Sequence, residues 1–411
     1  MKINLTLGVV FVLFSISCQS TNRASNYDFP KPVDTKDHPI ADQVKKQYAF
    51  NGVYFDNRFD GARINDVVAQ NDSTFRVTIR PENEPINFSP WYAFKVHADS
   101  SSFVYVVLDY EKYKHRYHPK LSSNGTDWSA LGDENFTYIG DSSKVLLKLK
   151  VSSDTLLVAA QEIISSQQVK DWCKKLEKYP KVHMQTIGKS KKGRALLFMD
   201  VYEGGRSDKK VIVLLSRQHP PEVTGYMAMQ SFVQEILDNP MSEDFFKTYR
   251  ILIYPLLNPD GVDLGHWRHN YGGIDLNRDW AYYHQPETRQ VADHIVSEVN
   301  SYNNEVVLGL DFHSTWHDVY YTLPRDTATT NVVGFRSKWF TSIKNTLGGS
   351  YEINEKPSGL GSPVTKGWFF TQFGAEGITY EIGDDTSRAF IYRKGKVSAA
   401  SMMEVLTNKS E

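Results

Sequence analysis

The hydrophobic patterning of this chain changes once, near residue 165, and that change constrains the fold more than any other feature. From about residue 48 to 158, short runs (75–79, 91–96, 103–108, 144–149) alternate apolar and polar residues. They are rich in Val, Phe and Tyr and are separated by Pro, Asn, Gly and Ser. A period of two puts one strand face on a core and the other in water, so residues 46–164 read as an all-β sandwich. Beyond residue 165, continuous Val/Ile/Leu runs (211–215, 251–256, 306–312, 377–382) alternate with helical stretches (169–176, 223–237, 287–299, 397–406). Strands apolar on both faces and interleaved with helices predict an α/β domain over residues 165–411. Its sheet is expected to be mixed, largely buried and flanked by helices.

A hydrophobic content of 40% and an aromatic content of 13% suffice for two cores, which excludes a largely disordered chain. With 47 Lys+Arg against 48 Asp+Glu, there is no bulk electrostatic grip on nucleic acid. The densest basic stretch, Lys189, Lys191, Lys192 and Arg194, reads as a solvated turn. At the N-terminus, Lys2 precedes an apolar run from Leu5 to Phe14 and then Ser15-Ile16-Ser17-Cys18. This predicts an export signal over residues 1–17, too short to span a membrane. A cysteine at position 18 resembles the lipobox of bacterial lipoproteins, although Ser15 stands where that pattern usually has Leu. The expected product is a cell-envelope lipoprotein that meets the membrane only through its N-terminal lipid; a plain secretory peptide cut nearby is the alternative. Residues 19–45 are polar and read as a tether. Cys173, left alone, reads as a packed small hydrophobe and excludes an internal disulfide.

Chemistry-bearing residues gather at strand ends in the second half. After the run 211–215 come His219 and Glu222, at a spacing that lets both face the crevice where open α/β sheets bind ligands. An imidazole and a carboxylate are zinc donors, but a catalytic site takes three protein ligands and a water. Alone, the pair is more simply a helix-capping Glu beside a surface His. His313, directly after the run 306–312, offers a third donor, with Asp311 or a backbone carbonyl to fix its tautomer. His266, His269 and His317 read as surface or supporting residues. Glu381 ends another apolar run, and a carboxylate there is costly unless it has a partner or a task. Between these lie Arg268 and Arg278, whose guanidinium groups suit a carboxylate or an oxyanion, and which singly would be surface ion pairs.

His219-Pro220-Pro221-Glu222, Asn258-Pro259-Asp260-Gly261, Asn277-Arg278, His313-Ser314 and Tyr380-Glu381, in that order, resemble the zinc metallocarboxypeptidases (the funnelin family). Any one motif is common; five in order are specific. Arg217-Gln218-His219-Pro220 and the compact stretch from Gly265 to Arg278 are closer to the cytosolic carboxypeptidase-like branch. So is Arg80-Pro81-Glu82-Asn83-Glu84-Pro85-Ile86-Asn87-Phe88 followed by Trp91-Tyr92-Ala93-Phe94-Lys95-Val96, which is similar to that branch's N-terminal β-domain signature. The resemblance spans about residues 50–405.

It implies that His219, Glu222 and His313 hold one Zn²⁺ per chain and that Glu381 is the general base and later the acid. It also implies that Arg268 stabilises the oxyanion while Asn277 and Arg278 clamp the terminal carboxylate of a peptide or protein. Two departures stand out. Pro221 replaces the usual Gly, and the tyrosine many members fold over the substrate has no counterpart, its spacing falling on Gly359. Lys366 falls where related enzymes keep a pocket-determining residue and would favour an acidic C-terminal residue; on composition alone it reads as a solvated loop lysine. The expected activity is removal of C-terminal residues from peptides. The alternatives are a cell-wall peptidase acting at γ-glutamyl or diaminopimelate bonds, and a binding lipoprotein with a vestigial metal site. Trp91, Tyr92 and Trp128 are candidate surface aromatics of the β-domain, or simply core.

Overall fold

The computed structural model describes residues 39–326 and 328–408; the export segment, Cys18 and most of the tether lie outside them. The last part of the stretch read as tether is docked. Ala41 N–H donates to Glu82 O (2.6 Å), and the Gln43 amide donates to Ala62 O (2.6 Å) and to Leu264 O (3.0 Å). The N-terminal half forms two facing sheets of six and five strands. The alternating runs pack Phe55, Phe75, Phe94, Val106 and Leu147 between them, while the polar positions stay outside. Trp91 and Tyr92 are buried in this core and Trp128 is half-buried, so the core reading holds for the first two.

The second half carries an eight-stranded sheet. Its centre is four parallel strands in the order Tyr249–Tyr254, Lys210–Ser216, Glu305–Thr315 and Glu376–Gly383. Hydrophobic side chains cover both faces, as the continuous runs require. One edge is the antiparallel hairpin Val182–Lys189/Ala195–Val201, and the other adds Val319–Thr322 and Glu355–Pro357. The basic stretch 189–194 is indeed the hairpin turn, but Arg194 is not simply solvated: it donates to the buried Asp260 (2.9 Å) and Asp263 (2.8 Å). Cys173 is buried on the helix Ser166–Leu176, whose N-terminus Ser165 and Gln168 close as a capping box. Among the described residues, no helix is long and apolar enough to cross a membrane.

Candidate active site

The carboxyl ends of the central parallel strands deliver the candidate donors to one place. Lys210–Ser216 leads through a tight turn to His219 and Glu222, and Glu222 directly precedes the helix Val223–Asp238. Pro221 sits in that turn ahead of the helix, where its missing N–H and fixed φ do no harm. Glu222 occupies the N-cap position but caps nothing, because its side chain turns toward the histidines. On the neighbouring parallel strands His313 and Glu381 are register partners, so their side chains emerge side by side. Gly225 lets the helix approach: a Cβ there would lie 2.2 Å from the His313 carbonyl oxygen. Ser314 Oγ accepts the Gly225 N–H (2.9 Å) and ties helix to strand.

One atom of each of His219, Glu222 and His313 lies within 4.8 Å of the others, and all three residues are buried. Nδ1 of His219 is 2.8 Å from Glu222 Oε1, and Nδ1 of His313 is 2.6 Å from Oε2. The far nitrogens are held by separate carboxylates: His219 Nε2 to Asp275 (2.8 Å) and His313 Nε2 to Asp311 (2.7 Å). That arrangement leaves Nδ1 as the ligating atom of each ring and is the outer support that metal-binding histidines require. Burial acts to raise the pKa of Glu222, but His219 and His313 outweigh it and hold the carboxyl below its usual range. Two imidazoles and a carboxylate fit zinc, and no second cluster of this kind exists among the described residues.

The same cavity, of about 970 Å³, is lined by all of His219, Glu222, His313, Glu381, Arg268, Asn277, Arg278 and Lys366. Glu381 Oε2 is buried without a hydrogen-bond partner. Burial, then the charge of Glu222, pushes the Glu381 pKa up to about 8. Arg268 Nε donates to Asp275 Oδ2 (2.7 Å), so one carboxylate supports both a histidine and an arginine. Asn277 Oδ1 accepts Thr365 N–H (3.1 Å), and Arg278 Nη1 donates to the Asn277 carbonyl (2.7 Å). The loop reading of Lys366 is corrected: it lies on the helix Thr365–Phe373 and is 4% exposed. Its ammonium donates to Ser358 O (2.7 Å), forms no ion pair with a carboxylate among the described residues, and is pushed down to about 8 by burial and by Arg336.

Sequence reasoning missed several parts. Asp275, inside the stretch 265–278, carries no signal as a support, since nothing local distinguishes a buried aspartate from a solvated one. The strand-rich N-terminal half contributes Phe88, Ser89 and Arg116 to the cavity wall, and Arg116 donates to Asp384 (2.8 Å) with its guanidinium over the exposed Trp316 ring (5.0 Å). Gly359 lines the cavity without a side chain, whereas Tyr321 faces it from the strand Val319–Thr322, opposite Thr379. His266 and His269 are buried supports of the Arg268 loop, and His317 is exposed.

Residues 169–395 match the Peptidase_M14 zinc carboxypeptidase model. Cytosolic carboxypeptidase 3 of Mus musculus is 22% identical over 260 residues, which are 56% of this chain and 26% of that protein. Cytosolic carboxypeptidase 6 of Caenorhabditis elegans is 24% identical over 63% of this chain and 62% of its own length. The chain therefore spans about a quarter of the first relative and less than two thirds of the second. The crystal structure of a metallo-carboxypeptidase from Burkholderia cenocepacia superposes with a TM-score of 0.72 at 18% identity, covering 86% of this chain and 98% of that one, which shows a shared fold. With the family model covering more than half its length, and three zinc donors converging where the strands end, the chain belongs to the zinc carboxypeptidase family.

Proposed function

We propose that this chain is a zinc-dependent carboxypeptidase that hydrolyses the last peptide bond of peptides or proteins and prefers an acidic C-terminal residue. The observation that carries the reading is the convergence of three candidate zinc ligands, a carboxylate with an unpartnered oxygen and four cationic side chains on one cavity. When bound by His219, Glu222 and His313, zinc supplies a Lewis acid that makes water a nucleophile near neutral pH. Glu381, with its free Oε2, takes the proton of the attacking water and passes it to the leaving amine. Arg268, oriented by Asp275, places positive charge where the carbonyl oxygen becomes an oxyanion. Asn277 and Arg278 hold the substrate's terminal carboxylate, fixing the scissile bond over Glu381 by proximity.

Lys366 supports the acidic preference, because a buried ammonium without a carboxylate partner is stabilised by an incoming anion. The test is a peptide-library digest of the purified protein with and without chelator. Release of Glu and Asp ahead of other residues is expected, and Lys366→Glu should reverse that order toward Lys or Arg. An unchanged order in Lys366→Glu rules out Lys366 as the specificity residue, and release only from muropeptides redirects the activity to the cell wall. Arg278→Ala is expected to raise KM by roughly tenfold to a hundredfold for peptides with a free terminal carboxylate, the cost of a lost charge-assisted pair. Equal losses on amidated peptides would show that Arg278 does not form the clamp.

A further inference from the structure

Glu82 belongs to the N-terminal domain, in the connector between the strands Thr74–Thr78 and Ala93–Ala98, yet its side chain is spent on the other domain. It is fully buried. Oε2 accepts the backbone N–H of Trp267 (2.7 Å), and Oε1 accepts those of Arg268 (3.0 Å) and His269 (2.7 Å). Three successive N–H groups of one non-helical loop thus end on a single carboxylate from a segment some 186 residues away. The surroundings repeat the connection. Asn83 Oδ1 is 2.6 Å from His269 Nδ1, and the Trp267 indole N–H donates to Trp91 O (3.1 Å) while its ring packs edge-on against Tyr113. Gly265, just before the loop, takes a left-handed φ of 67°, and a Cβ there would lie 2.7 Å from Ala62 O. Burial acts to raise the Glu82 pKa, but His266, His269 and the buried Arg63 outweigh it and keep the carboxylate ionised.

Such an arrangement does more than join two domains. Buried backbone N–H groups demand partners, and an ionised acceptor gives them short, strong ones. The Arg268 side chain is held at its head by Asp275, through Nε alone. Its backbone end is held by Glu82. Without that second point, the guanidinium can swing about Asp275, and displacements near 1 Å at a reacting centre cost on the order of a hundredfold in rate.

We infer that Glu82 is a positioning residue for catalysis: the N-terminal domain fixes the loop 267–269 through this carboxylate and thereby aims Arg268 at the oxyanion. The inference rests on the role of Arg268 proposed above. In Glu82→Gln one amide oxygen replaces two carboxylate oxygens, and an NH₂ group meets N–H donors. That variant is expected to lose roughly tenfold to a hundredfold in kcat, with KM within about twofold of wild type, as befits an interaction made in the transition state. Zinc content should stay at the wild-type level. Arg268→Ala alone should lose about 10²–10³ in kcat, and adding Glu82→Gln to it should cost nothing more, because the two changes remove the same interaction. Losses that multiply in the double variant would overturn the inference and leave Glu82 a general structural residue. Wild-type kcat in Arg268→Ala would instead overturn the role of Arg268 itself. Should Glu82→Gln not fold, because Arg63 then lacks its counter-charge, Glu82→Asp keeps the charge and withdraws the oxygens by one methylene. A kcat loss in Glu82→Asp that disappears in the Arg268→Ala background supports the positioning role; no loss, or a loss that persists there, overturns it.

Discussion

Glu381→Gln is expected to lower kcat by about 10²–10⁴ while leaving zinc content and folding intact. Glutamine has nearly the same shape, but it cannot accept a proton at neutral pH. Glu381 contributes no donor to the histidine cluster, so its loss should leave the metal site standing. The residue is buried enough that its pKa rises from the usual 4.5 to about 8, and a bound dication pulls it back toward the ordinary range. A general base works only when ionised, so kcat/KM should rise with pH through an acid limb lying between those two values. A wild-type turnover number in Glu381→Gln, or an acid limb unchanged by the substitution, would remove Glu381 from the mechanism.

Chelation is the second large effect. Stripping zinc should abolish turnover and lower the melting temperature by several degrees, since a ligand present at about 1,000 times its Kd stabilises the native state by roughly 4 kcal/mol. The metal-free protein should remain folded, because Glu222, Asp275 and Asp311 already satisfy the two imidazoles. Burial disfavours a charged His313, yet Asp311 and Glu222 outweigh it and lift its pKa well above the usual 6.5. Zinc must displace that proton, so apparent zinc affinity should rise with pH across neutrality. Calorimetric titration at several pH values checks the sign. A protein whose activity and melting temperature ignore chelator has no working metal site, and its proposed chemistry falls with it.

The candidate site was highly legible because its parts sit where apolar runs stop. A histidine or glutamate where an apolar run stops stands out against Val, Ile and Leu, as His313 and Glu381 do near the ends of their strands. Helices were less legible where charge enters their buried face. The stretch expected at 397–406 is in fact the helix Arg388–Thr407. Its first turns were hidden by Lys394, which is fully buried against Asp318 (2.8 Å), and by Gly395, where a Cβ would meet Ser231 Oγ at 2.0 Å. Neither signal looks helical in a sequence; both are consequences of packing against the helix Val223–Asp238 and its surroundings.

Residue type and local period alone determined the strand-rich first half and the mixed α/β second half, because those depend on neighbours along the chain; the candidate zinc ligands and the candidate base were legible only through the ordered motifs that resemble the family. Only the tertiary structure decided which carboxylates hold each histidine, that Lys366 is buried in the cavity, and that Glu82 of the strand-rich half accepts the backbone N–H groups of the loop carrying Arg268. The reason is desolvation: a polar side chain acquires its role when packing removes water and leaves one partner in reach, and that partner is chosen by the fold rather than by sequence distance.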